Sequence, residues 1–139
     1  GTVSKNPLWE IGWGEVSVLD NPAARAWFDN VHGFDAFHWH GETFEIPAGA
    51  TRVLESTHCK NQAFVLGKHL GMQTHVEMTV ELVERWCADG EHEIALRRGP
   101  AVSSSAEIKR DLYTRVAALN AVARRLYENW IRGLAHGTG

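Results

Sequence analysis

Cysteine is scarce in this sequence, and so are long apolar runs and an excess of charge of one sign. Only two cysteines occur in 139 residues, which excludes a disulfide-rich scaffold. No apolar run reaches the roughly 20 residues that cross a bilayer, and no signal-peptide pattern opens the chain. The net charge of −3 and the pI of about 6.2 give no electrostatic basis for binding nucleic acid or an anionic membrane. We therefore predict a cytoplasmic protein without nucleic-acid or membrane partners.

Glycine motifs of the Rossmann or P-loop kind are also missing, although strand and helix signals are mixed along the chain. The length suits one domain, and the mixture predicts the α/β fold class. β-branched and aromatic runs indicate strands, whereas capped amphipathic runs indicate helices. The strands are expected at 14–19, 34–40, 51–57, 62–66 and 70–75, the helices at 21–29 and 79–90, a loop at 41–50 and a turn-rich link at 97–105.

An apolar stripe predicts one long helix at the end of the chain. Ser104 and Glu107 have the spacing of a capping box and mark its start. The spacings of three and four residues place the stripe on one face. This face either packs on the domain's own sheet or binds another subunit, and periodicity allows both. The stripe comprises Ile108, Leu112, Val116, Leu119, Val122, Leu126, Trp130 and Leu134.

The stretch GMQTHVEMT, residues 71–79, places His75 two residues before Glu77. On an extended segment, residues i and i+2 point to the same side, so the carboxylate can lie beside the imidazole. A carboxylate on one ring nitrogen leaves the other nitrogen to act as a general base. The pair is also typical of solvated polar residues at the end of a strand.

Two other groups of residues suggest chemistry less clearly. His38 and His40 alternate on one predicted strand, with His32 and His58 also available, but a metal site needs three or four ligands. We therefore predict no metal, and keep a site on His38 and His40 as an alternative hypothesis. Cys59 and Cys87 lack the glycines of a nucleophile elbow and are typical of small apolar core residues.

Four motifs, read in order, resemble the second half of class I glutamine amidotransferase domains, in the branch related to the amidotransferase domain of GMP synthetase. They are NPLWEIGW, FHWHGETFEIPAGA, CKNQAF and GMQTHVEMT. The resemblance covers residues 1–90 and implies a three-layer, flavodoxin-like α/β fold, of which this chain is the C-terminal half. Residues 91–139 would then add a linker and the C-terminal amphipathic helix of the same domain.

The resemblance also implies a site. His75 and Glu77 match the histidine and glutamate of a Cys-His-Glu triad that hydrolyses the side-chain amide of glutamine. Trp39, His40 and Gly41 match a segment whose backbone helps to hold the glutamine substrate. The products would be glutamate and ammonia, the ammonia passing to a partner synthetase. No cofactor is implied.

The sequence departs from the family pattern in two places. Val76 stands where the family often has proline, a change that keeps the backbone extended. The Gly-x-Cys-x-Gly elbow that carries the family nucleophile is absent, so we expect this cysteine upstream of residue 1 and no glutaminase activity in these 139 residues alone. The expected partner is the missing half, a neighbouring chain or a second copy. A non-catalytic α/β binding module and a γ-glutamyl hydrolase with the same triad are the alternatives.

Overall fold

The computed structural model of the protein describes residues 1–135, which form five strands and five helices. The chain begins with a long hairpin of strands separated by a short helix, continues through three shorter strands, and ends in four helices. The elements are β1 (Val3–Val18), α1 (Pro22–Phe28), β2 (Gly33–Phe44), β3 (Thr51–Ser56), β4 (Ala63–Leu66), β5 (His69–Met72), α2 (Val80–Asp89), α3 (Glu91–Leu96), α4 (Ser105–Lys109) and α5 (Leu112–Ala135).

The five strands form one curled sheet in the order β2-β1-β3-β4-β5. Every pairing between these strands is antiparallel. Although β2 and β5 lie at opposite edges, His75, just after β5, forms an antiparallel bridge with Phe37 of β2. The backbone N–H of His75 donates to Phe37 O at 2.8 Å, and Phe37 N–H donates to His75 O at 3.3 Å. The curl therefore brings the segment after β5 onto β2.

The first strand is much longer than the predicted strand at 14–19. Its register with β2 shifts between Lys5 and Glu10, and Pro7 lies within this irregular stretch, where no ladder N–H is required. Val3 pairs with Phe44, so residues 41–44 belong to β2, and only residues 45–50 of the predicted loop at 41–50 are irregular. Pairing across the hairpin outweighs the turn signals of proline and glycine.

Two predicted helices begin at side-chain caps visible in the sequence. The side chain of Asn21 accepts from Ala24 N–H at 2.9 Å at the start of α1, with Pro22 as its first residue. The side chain of Thr79 caps α2 by accepting from Leu82 N–H at 3.2 Å. Both helices are confirmed. The short helix α3, which directly follows Gly90, was not predicted.

The prediction of a single C-terminal helix is wrong, because the helix is interrupted at residues 110 and 111. Ser104 and Glu107 do form a capping box, but the box starts the short helix α4. Asp111 then takes a positive φ of 52° and its carbonyl accepts from Arg115 N–H, so a new helix begins at Leu112. An aspartate tolerates this left-handed conformation better than most residues, which allows the break.

The apolar stripe packs mainly into the core of this chain, as one of its two interpretations predicted. Five of its members are buried, Val122 is half-buried, and Trp130 and Leu134 near the end are exposed. The helix α5 therefore joins two core clusters, contributing Leu119 to one and Leu126 to the other. The buried stripe members are Ile108, Leu112, Val116, Leu119 and Leu126.

The two predicted parts of the chain, before and after residue 90, share one hydrophobic core. Phe37, Val76 and Val83 from the first part lie in the same cluster as Ile94 and Ile108 from the second. Within residues 1–135, no helix is both long enough and apolar enough to cross a membrane.

Candidate functional site

His75 and Glu77 lie side by side between β5 and α2. Nδ1 of His75 is 2.7 Å from Oε1 of Glu77. Between them, Val76 is buried in the core at 1% exposure, so the extended backbone turns both polar side chains outward. The side chain of His75 is 28% exposed, which leaves its ring within reach of a reactant. Burial of Val76 thus fixes the backbone between the two polar residues.

Three contacts fix the orientation of this pair. The bridge to Phe37 holds the backbone of His75, and the ring of Trp86 in α2 meets the imidazole edge-on, with ring centroids 5.0 Å apart. The second carboxylate oxygen of Glu77, Oε2, accepts from Val76 N–H at 2.9 Å. With Nδ1 committed to Glu77, Nε2 is the ring nitrogen that can accept a proton.

Glu77 is held in its charged form. Partial burial alone would raise the pKa of this carboxyl. Hydrogen bonds from its own backbone N–H, from His75 and from Val76 N–H outweigh burial, and the pKa lies below its ordinary value. A carboxylate in this position stabilises the imidazolium that would form during proton transfer.

The Trp39–Gly41 segment lies on β2, two residues beyond the bridge to His75. Trp39 contacts Trp86 edge-on at 5.9 Å, so one tryptophan of α2 contacts both His75 and Trp39. Nε1 of Trp39 donates to Glu93 Oε2 at 2.8 Å. This segment lines an open groove of about 530 Å³ together with Trp9 and Arg97.

Gly41 is required in this groove because the indole of Trp9 covers it. A Cβ at residue 41 would lie 2.2 Å from Trp9 Cε2. The ring of His40 is turned away from the Trp86 side, because alternate residues of a strand face opposite sides of the sheet. The predicted site residues Trp39 and His75 are thus brought to one region, and only the backbone of His40 can face it.

On the other face of β2, His38 and His40 meet Glu10 of β1. One ligand atom from each of the three residues lies within 4.8 Å of the others. Glu10 and His38 are buried at 4% and 1% exposure. Glu10 was not among the site residues predicted from the sequence. It pairs with His40 across the hairpin because of the register between β1 and β2, which the sequence does not reveal.

Burial acts in opposite directions on the two buried members of this cluster. Burial lowers the pKa of His38, although nearby Glu10 and the Gly14 carbonyl raise it in part. Burial raises the pKa of Glu10, but His40, His38 and the Ser56 hydroxyl outweigh burial, and the pKa lies below its ordinary value. At neutral pH the cluster therefore contains the carboxylate of Glu10 beside the neutral imidazole of His38.

The sequence matches no protein-family model and no curated protein, whereas the structure matches solved ones. A crystal structure of a glutamine amidotransferase from Methylobacillus flagellatus has a TM-score of 0.90 and 40% identity, over 95% of this chain and 55% of that one. A glutamine amidotransferase from Thermotoga maritima has a TM-score of 0.80 and 27% identity, over 94% of this chain and 54% of that one. This chain belongs to a class I glutamine amidotransferase-like domain. It spans about half the length of these two structures.

The comparison confirms the predicted fold class of the amidotransferase-like domain. Its flavodoxin-like α/β architecture and long C-terminal helix were both expected, and the curled antiparallel sheet is the part of that architecture found in this chain. The assignment to the GMP synthetase branch and the division at residue 90 stay predictions.

Neither cysteine of this chain is suited to act as the nucleophile of an amidotransferase. Cys87 lies in the core, where burial raises the pKa of its thiol despite a hydrogen bond with Ser105. Cys59 is 2% exposed, and its Sγ accepts from Gln73 Nε2 at 3.0 Å. These surroundings match the prediction that both are core residues.

Proposed function

We propose that this chain supplies the histidine and glutamate of a Cys-His-Glu triad that hydrolyses the side-chain amide of glutamine. The observation that carries the proposal is the 2.7 Å contact between His75 Nδ1 and Glu77 Oε1, on a fold shared with glutamine amidotransferases. The nucleophilic cysteine would lie upstream of this chain, because Cys59 and Cys87 are buried.

Each residue would have its own role in the proposed reaction. His75 Nε2 would take the proton of the cysteine thiol, and the thiolate would attack the side-chain carbonyl carbon of glutamine, forming a C–S bond. His75 would then return the proton to the leaving nitrogen as the C–N bond breaks, releasing ammonia. Water activated by His75 would cleave the thioester to glutamate and regenerate the thiol. Glu77 would hold the tautomer throughout.

The Trp39–Gly41 segment would bind the substrate through its backbone. The packing of Trp9 over Gly41 and of Trp86 against Trp39 fixes the path of this strand beside His75. The ammonia produced would pass to the synthetase site of a partner protein or domain.

Glutaminase assays on the full-length protein test the proposal. His75→Asn should lower kcat by about 10²–10⁴-fold because it removes the acid and base. Glu77→Gln should lower kcat by up to about 10⁴-fold with little change in KM, because an amide favours the wrong imidazole tautomer. His69→Gln, at the exposed first residue of β5, is the matched control and should retain full activity.

Unchanged kcat in both site variants would overturn the triad assignment. Hydrolysis of γ-glutamyl peptides but not of glutamine, with the same two residues required, would replace glutamine by γ-glutamyl compounds as the substrate. Full-length protein inactive on both substrates would favour the non-catalytic binding module.

A further inference from the structure

The side chains of the buried cluster formed by Glu10, His38 and His40 take no part in the proposed reaction. We propose that these three residues bind a divalent transition-metal ion, with Zn²⁺ the best match. Two imidazoles and one carboxylate form a common protein ligand set for Zn²⁺, with water completing a tetrahedron. The three ligand atoms already lie within 4.8 Å of one another.

The hydrogen bonds of both histidines orient them as metal ligands. Nε2 of His38 is 3.1 Å from Gly14 O, and Nδ1 of His40 is 2.9 Å from Glu42 O. A backbone carbonyl can only accept, so each of these nitrogens carries the ring proton when the imidazole is neutral. The lone pair of His40 Nε2 is then free, whereas Nδ1 of His38 lies 3.4 Å from the Thr74 hydroxyl, a long contact that a bound metal ion would replace. Metal-binding histidines usually donate their outer N–H to a carbonyl or carboxylate in this way.

The contact between His40 and Glu10 requires a cation or a proton between the two side chains. Nε2 of His40 is 3.0 Å from Glu10 Oε2, but the contact is not aligned as a hydrogen bond, and this buried nitrogen has no hydrogen-bond partner within residues 1–135. With Nδ1 protonated toward Glu42, two lone pairs would face each other there. Since the side chains of His40 and Glu10 are only 10% and 6% exposed, water can do little to separate them.

Neighbouring polar groups support the carboxylate rather than neutralise it. Ser56 Oγ donates to Glu10 Oε1 at 2.9 Å, and Gln62 Nε2 donates to Glu10 Oε2 at 2.7 Å. Ligating carboxylates are commonly hydrogen-bonded in this way. Oε1 of Gln62 is a second buried atom without a partner in the described chain, and it is available to a metal-bound water.

The space and the access also suit a small ion. A tetrahedral Zn²⁺ ion about 2.1 Å from each ligand atom would hold these atoms about 3.4 Å from one another. They now lie within 4.8 Å, so the side chains would have to move by about an ångström to bind the ion. Glu10 and His38 line a cavity of about 220 Å³, which provides an entry path. A metal here would cross-link β1 to β2 on the face opposite His75, and its role would be structural.

Zn²⁺ titration of the full-length protein by calorimetry tests the proposal without any glutaminase assay, so the two proposals can fail separately. We expect one equivalent of Zn²⁺ to bind and to raise Tm. His40→Gln and Glu10→Gln should each weaken binding by at least about 10²-fold. His69→Gln, which replaces the exposed histidine at the start of β5, should bind as the native protein does.

A second measurement does not depend on the variants folding. In ¹⁵N NMR spectra of the native protein, Zn²⁺ should shift the ring nitrogens of His38 and His40 and leave those of the other six histidines unchanged. Failure to bind Zn²⁺, or equal binding by folded His40→Gln, would overturn the proposal, as would shifts confined to other histidines. Without metal, an imidazolium at His40 paired with Glu10 would explain the contact instead.

Discussion

Replacing Gly41 by alanine tests the packing that shapes the proposed substrate groove. The new Cβ would lie 2.2, 2.5 and 2.6 Å from three atoms at the fused edge of the Trp9 indole. Carbon atoms prefer separations of about 3.5–4.0 Å, so the overlap exceeds 1 Å, at about 1.3 Å for the nearest atom. The fused edge of a ring cannot yield as the end of a flexible side chain does, and the whole indole must rotate.

The cost of this rotation can be built up from the contacts involved. Overpacking in a filled interior costs about 1–3 kcal/mol. Rotation would also disturb the guanidinium of Arg97, which lies 4.4 Å from the Trp9 ring centroid and contributes about 0.5–1 kcal/mol. Alanine has less conformational freedom than glycine in the unfolded chain, which offsets about 0.5–1 kcal/mol of this destabilisation. We therefore expect Gly41→Ala to lower the free energy of unfolding by about 1–3 kcal/mol.

Urea unfolding followed by tryptophan fluorescence measures this change. The midpoint should fall by roughly 1 M, given about 1–3 kcal/mol per M for the dependence on urea. Gly133→Ala is the matched control, because nothing lies within 4 Å of a Cβ built at this helical position. It should raise stability by about 0.5–1 kcal/mol through helix propensity. Equal stability of Gly41→Ala and the native protein, with unchanged native fluorescence, would refute the reasoning.

Two further predictions concern pH and the core. Because the pKa of Glu77 is lowered in the folded state, its contribution to stability is present above its unfolded pKa and is lost below about pH 4.5. Urea titrations at falling pH should therefore show a smaller loss of the free energy of unfolding in Glu77→Gln than in the native protein. An identical loss in the two proteins would contradict this. Leu119→Ala should lower the free energy of unfolding by about 2–5 kcal/mol, because Leu119 is 1% exposed in the core. Tyr113→Ala, at 78% exposure on the same helix, should change the free energy of unfolding by no more than about 0.5 kcal/mol. Equal losses of stability in these two variants would contradict the packing of α5.

Features with local causes were predictable from the sequence. The start of α1 follows from Asn21 and Pro22, and the start of α2 follows from Thr79, because each cap acts within three residues of itself. The contact between His75 and Glu77 follows from the two-residue period of extended backbone and was anticipated for the same reason. These effects need no knowledge of the rest of the fold.

Features set by distant parts of the chain could not be predicted. Glu10 reaches His40 only because β1 and β2 pair in one particular register. The bridge from His75 to Phe37 depends on the curl of the whole sheet. Even the break at Asp111 was hidden, because Ile108 and Leu112 keep helical spacing across it and both remain in the core.

Reaction of the full-length protein with a chloroketone analogue of glutamine, followed by peptide mapping, identifies the nucleophilic thiol most directly. We predict that the labelled cysteine lies outside residues 1–139, that glutamine protects it and that His75→Asn slows its labelling. These 139 residues alone should neither react at their own cysteines nor hydrolyse glutamine. Labelling of Cys59 or Cys87 with matching loss of glutaminase activity would contradict the assignment of the triad.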